Sequence, residues 1–106
     1  MDKQAIYSEF NERVNMAPKE LEEWLETEDS KSVGAGKGSE STGHESGRKI
    51  VAIKHTKKAD LSDADYKHME KVIGYIKRHL AQGPEHSAEN SRWRFSLMNW
   101  GHDPLK

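Results

Sequence analysis

One stretch limits the fold more than any other: residues 61–83, LSDADYKHMEKVIGYIKRHLAQG. Its apolar side chains Tyr66, Met69, Ile73, Ile76 and Leu80 recur at steps of 3, 4, 3 and 4 residues. That spacing gathers them into one stripe of an α-helix, whereas in a strand it would divide them between both faces. Val72 and Tyr75 widen the stripe, as a helix packed in a globular core requires. Ser62 stands at the N-cap position with Asp65 three residues on, a short version of the capping box. Acidic Asp63 and Asp65 open the helix and Lys77, Arg78 and His79 lie near its end, the order that the helix dipole favours. Gly83 and Pro84 stop it.

The flanking segments repeat the pattern on a smaller scale. Ile6, Phe10 and Val14, with Tyr7, predict a first helix over residues 2–15. Pro18 suits the first position of a second, acidic helix over residues 18–26, where Leu21, Trp24 and Leu25 share a face. Ala17 before it is a poor cap. Residues 46–58, SGRKIVAIKHTKK, predict a third helix starting near Ser46, although the β-branched Ile50, Val51 and Ile53 also suit a strand. Trp93, Leu97 and Trp100 predict a short terminal helix over residues 91–100, capped by Asn90 or Ser91 and ended by Gly101. Between the second and third helices, residues 27–45 hold Gly34, Gly36, Gly38 and Gly43 and one sizeable apolar side chain, Val33. A long mobile loop is expected there. The fold class is therefore all-α: one small domain over residues 1–106, with four or five helices and that Gly/Ser-rich loop.

Composition matters here for what it excludes. The chain has no Cys, which removes disulfides, thiolate nucleophiles and zinc–thiolate sites. No apolar run is long enough to span a membrane, and the first ten residues do not resemble a secretory signal, so an intracellular, soluble protein is expected. Such a protein would be cytoplasmic in a bacterium, and nuclear or cytoplasmic in a fungus. The six His form no HExxH pair and no Ser lies in GxSxG. The glycines at 34, 36 and 38 lack both the preceding strand and the Lys-Ser/Thr ending of a phosphate loop. No enzyme, cofactor or metal is expected. His102-Asp103 reads as a hydrogen-bonded terminal turn, because one such pair without a third ligand makes no metal site.

Charge supplies the functional expectation. Residues 1–45 hold five Lys/Arg against eleven Asp/Glu, while residues 46–106 hold twelve against seven. The most basic stretch is 48–58, with Arg48, Lys49, Lys54, Lys57 and Lys58 and no acid among them. Arg92 and Arg94, flanking Trp93, extend it. Such cations can neutralise the phosphates of a DNA or RNA backbone without reading sequence. They can equally face the acidic second helix, with Glu20, Glu22 and Glu23, inside the domain. Trp24, Trp93 and Trp100 could stack on bases, but at helical spacing with Leu97 they read as core.

Three segments carry a resemblance: VNMAPKELEEWLETEDSKSVG (14–34), HESGRKIVAI (44–53) and RWRFSLMNWGHDPLK (92–106). They resemble a family of small bacterial and fungal proteins, a domain of unknown function whose members are often labelled DNA-binding. That family usually has Ser or Thr where this chain has Ala17. ELEEWL and SGRKIVAI also resemble, more distantly, the two helices of the SAP motif, a DNA-binding helix–loop–helix. That resemblance implies phosphate contacts from Arg48, Lys49 and Lys54. The expected function is weak, non-sequence-specific nucleic-acid or chromatin association. The alternative is a non-catalytic protein-interaction module that uses the acidic second helix or the loop after it.

Overall fold

The computed structural model describes residues 2–33, 42–83 and 92–106. The fold is all-α. The elements are α1 (Lys3–Arg13), α2 (Pro18–Leu25), α3 (Glu28–Ser32), α4 (Thr42–Lys54), a 3₁₀ turn (Lys58–Asp60), α5 (Asp63–Gln82) and α6 (Arg92–Asn99). Six α-helices among the described residues exceed the four or five expected.

The extra helix comes from the segment read as loop. Thr27 caps α3 by accepting a hydrogen bond from the Ser30 N–H at 3.1 Å. Helix α3 seats Ser30 and Val33, both buried. Helix α4 begins at Thr42, a turn before the expected start. Ser46 is therefore no cap: it is buried inside α4, with its hydroxyl 2.9 Å from His68 Nε2. Of the expected mobile loop, residues 27–33 and 42–45 are accounted for by α3, α4 and their flanks, and residues 34–41 lie outside the described residues, as do Asn90 and Ser91, the expected caps of α6. The β-branched run Ile50, Val51 and Ile53 is helical and buried, because tertiary burial outweighs a weak local propensity.

Local chemistry explains the remaining boundaries. Asp2 accepts from the Ala5 N–H at 3.1 Å and starts α1. Ser62 and Asp65 form the full reciprocal box at the head of α5, at 3.1 and 3.0 Å. Ala17 has no side-chain acceptor. Glu20 supplies half of the motif by accepting from the Ala17 N–H at 3.2 Å. Gly83, at φ 67°, ends α5 in the left-handed region.

One core joins these helices. Phe10 and Val14 of the α1 end, Leu21 and Leu25 of α2, Ile50 and Ile53 of α4, Met69, Val72, Ile73 and Ile76 of α5, and Leu97 with Trp100 pack together. Trp100 is 4% exposed. Its ring stacks on Tyr75 at 4.1 Å and 10°. Trp24 and Trp93 are half-buried against this core and spend their indole N–H groups inside it, on Asn99 Oδ1 at 2.8 Å and on the His79 carbonyl at 2.7 Å. The expectation that the tryptophans are core holds.

Two glycines permit close approaches. A Cβ on Gly47 would lie 2.7 Å from the Asn99 carbonyl oxygen and 2.7 Å from a Leu25 methyl, so α4 meets α2 and α6 at that point without a side chain. Gly101 holds φ 81° and presses on Val14, where a Cβ would come within 2.8 Å.

Trp100→Ala is expected to lower the unfolding free energy by about 3–5 kcal/mol, the range for a large buried aromatic. Urea unfolding of both chains measures it, and a loss below about 1 kcal/mol would contradict the packing described.

Candidate nucleic-acid interface

The seven cations singled out by sequence have different neighbours. Arg48 and Lys49 are both exposed on α4. Lys49 Nζ lies 3.6 Å from Glu45 one turn earlier, with both side chains more than half exposed. Water and salt screen such a pair heavily. Arg48 lines a cleft of about 250 Å³ between α2 and α4, together with Glu22, Leu25, Glu26, His44 and Val51.

Lys54 and Lys58 turn onto α1 instead. Lys54 donates to Asn11 Oδ1 at 2.7 Å and lies 5.4 Å from the Phe10 ring centre. Its burial lowers the ammonium pKa. Lys58 donates to Gln4 and lies over Tyr7, 4.8 Å from the ring centre. Lys57 is exposed at the cap of the 3₁₀ turn, and Arg92 is exposed at the start of α6. Arg94 meets Asp103 through two N–H groups, each at 3.2 Å. Burial works against the Asp103 carboxylate, but Arg94 and the Leu105 N–H outweigh it and hold the Asp103 pKa below its usual value. The cations of 48–58 thus divide between the exposed side of α4 and the α1 junction, and Arg94 belongs to the C-terminal turn. In that turn His102 Nδ1–H donates to the Arg13 carbonyl at 2.6 Å, the hydrogen-bonded role expected for it.

The carboxylates of α2 are partly engaged. Glu20 meets Lys106 at 2.5 Å, and Glu22 lies 3.6 Å from His55 at the end of the basic stretch. Both contacts involve exposed side chains.

A second set of cations lies on α5. Lys67, Lys71 and Arg78 are exposed and recur at i, i+4 and i+11, which places them on one stripe. Gly74 lies in the same stripe, and the Arg78 guanidinium leans over it: a Cβ on Gly74 would lie 3.1 Å from Arg78 Nη1. Reading residues 48–58 as the basic element passed over this stripe, and assigned Arg78 to the helix dipole. The signal was available in the spacing.

His68 joins the two helices. Its Nε2 is 2.9 Å from Ser46 Oγ of α4, and its ring is stacked on Trp100 at 6.3 Å and 15°. Burial, and then the Lys49 and Lys71 ammonium groups, hold its pKa below the ordinary value. Lys49 stands one turn along α4 from Ser46, and Lys71 one turn along α5 from His68, so each lies on the side of its helix that carries this contact. Further along α5, His79 stacks on Tyr75 at 5.0 Å, and burial lowers its pKa too. Among the described residues His79 Nε2 is buried without a hydrogen-bond partner. No group of acidic, His or Cys side chains among the described residues could hold a metal ion, and no described helix is long and apolar enough to cross a membrane.

A family model of proteins of unknown function, DUF3140, matches residues 9–98. The chain belongs to the DUF3140 family. The match begins within α1 and ends within α6, so it takes in both α4 and α5. No curated protein and no solved structure matches this DUF3140 chain.

Both depressed histidines bind protons more readily in the unfolded chain than in the folded one. Stability contributed by their neutral forms is present above the unfolded pKa of about 6.5 and is lost as pH falls below it. The urea midpoint is therefore expected to fall between about pH 7 and pH 5. His79→Gln is expected to reduce that fall, because it removes one of the two groups.

Proposed function

We propose that this chain is a nucleic-acid-binding protein that holds the phosphate backbone weakly and without sequence preference. The observation that supports it is the exposed stripe Lys67, Lys71 and Arg78 on α5, with Lys49 on α4 one turn from the Ser46–His68 contact that links the two helices. Ammonium and guanidinium groups on two adjacent helices suit successive phosphates, and their contribution is electrostatic and indifferent to bases. Lys57 is a further exposed cation beyond the end of α4, whereas Arg48 lines the cleft towards α2. The DNA-binding reading of the family and the likeness to the SAP motif agree with it in kind. The cations chosen here come largely from α5, outside the two segments that carry that likeness.

A second reading rests on the cleft between α2 and α4. Leu25 and Val51 provide an apolar floor there, and Glu22, Glu26 and Arg48 provide charges of both signs. That combination suits a protein-interaction module with its contact on the α2 face.

Salt separates the two. Four cations that neutralise four phosphates give a log–log salt slope of about −3.6 on duplex DNA, at about 0.9 per phosphate. The double variant K67A/K71A is expected to weaken binding equally on unrelated sequences and to flatten that slope by about 2. Fluorescence anisotropy across a salt series measures both. No binding at about 50 mM salt with protein on the order of 100 μM would reject nucleic-acid binding and favour the interaction module.

A further inference from the structure

We infer that His68 is the acid-sensitive element of this surface: its protonation supplies a further cation at the α4–α5 contact, one turn from Lys49 on one helix and from Lys71 on the other, so that the chain grips a polyanion more tightly as pH falls. The inference rests on the nucleic-acid reading above.

The geometry is specific to this imidazole. His68 is half-buried on the side of α5 that meets α4, with Ser46 Oγ at 2.9 Å from Nε2. A serine oxygen can accept as well as donate, so an imidazolium N–H finds its acceptor already in place. The ring rests against Trp100, which fixes its position. The charged groups that bear on it are Lys49 on α4, itself 3.6 Å from Glu45, and Asp65 and Lys71 on α5. The C-terminal end of α6 contributes only the uncharged indole of Trp100.

In the free chain the two lysines oppose a third positive charge beside them. A phosphate backbone laid across Lys49 and Lys71 reverses that balance, because its negative charge offsets theirs and favours the imidazolium. Linkage then works in both directions: the polyanion raises the affinity of His68 for its proton, and the proton raises the affinity for the polyanion by the same factor. The sign follows. Above the pKa of the bound state His68 is neutral either way and affinity is flat. Affinity rises as pH falls through the bound-state pKa, and levels off below the lower pKa of the free chain. One proton limits the slope to tenfold per pH unit or less.

The test is the Kd for a short double-stranded DNA at fixed salt, at about pH 7.5 and about pH 5.5. The intact chain is expected to bind about five- to tenfold tighter at the lower pH, in the usual range of coupling between two sites. Its salt slope should also steepen by about 0.9, one further phosphate neutralised. His68→Gln should flatten the pH dependence, while His55→Gln, at the far end of α4, should retain it. His68 packs on Trp100, so its own titration in the intact chain, followed by NMR with and without the DNA, provides a readout that needs no variant. Its midpoint should rise on binding. Salt-dependent binding with equal Kd at both pH values, coincident His68 titrations, or loss of the pH dependence in His55→Gln would overturn the inference and leave the nucleic-acid reading standing. Absence of binding at both pH values would overturn the two together.

Discussion

The buried amide of Asn99 is the joint on which the other contacts depend. Its Oδ1 accepts from Ser30 Oγ at 2.5 Å and from Trp24 Nε1 at 2.8 Å, and its Nδ2 donates to the Ser30 carbonyl at 3.1 Å. One side chain, 1% exposed, thereby ties α2 and α3 to α6. Each bond contributes the usual net of about 1 kcal/mol, but removal of any partner strands the others away from water, at a cost of about 1–3 kcal/mol each. A buried network of this kind holds one arrangement of helices against alternatives that the apolar contacts alone would tolerate. Gly47 packs at the same residue, its bare backbone facing the Asn99 main-chain carbonyl.

From Asn99 the chain runs straight into the other closures. Trp100 inserts between His68 and Tyr75. Gly101 turns at positive φ against Val14, and its carbonyl accepts from the Met16 N–H at 3.2 Å. His102 meets the Arg13 carbonyl, and Asp103 exchanges hydrogen bonds with Asn15 at 2.8 and 3.0 Å. The last ten residues therefore hold α1, α2, α3 and α5 together, and the rings His68, Trp100, Tyr75 and His79 form a continuous column along α5. This packing also determines what remains for the surface. Met69, Val72, Ile73 and Ile76 commit one face of α5 to the core and the column runs along its half-buried flank, so the charged stripe is left to solvent. His68 belongs to both regions, with its ring on the column and its Nε2 on Ser46 of α4.

Sequence by itself determined the helical class, the extent and caps of α5, the core positions of its stripe and the burial of Leu97 and Trp100. These follow from local rules: a 3.6-residue period, a Ser–Asp box, a Gly stop and the large area of an indole ring. It misplaced α3 and the start of α4, because a short segment of Ser, Glu and Lys has no apolar period of its own. That segment becomes helical through the Thr27 cap and the seat that Asn99 offers to Ser30, 69 residues away in the chain. The candidate interface was only half legible for the same reason. Positive charge is visible in a sequence, but its direction is not: Lys54 and Lys58 lie on the aromatic rings of α1, Arg94 is held by Asp103, and the Ser46–His68 contact sets the Lys49 side of α4 beside the Lys71 side of α5. Only the tertiary structure decided this, since the packing angle of one helix on another sets which lysines share a surface, and no local spacing encodes that angle.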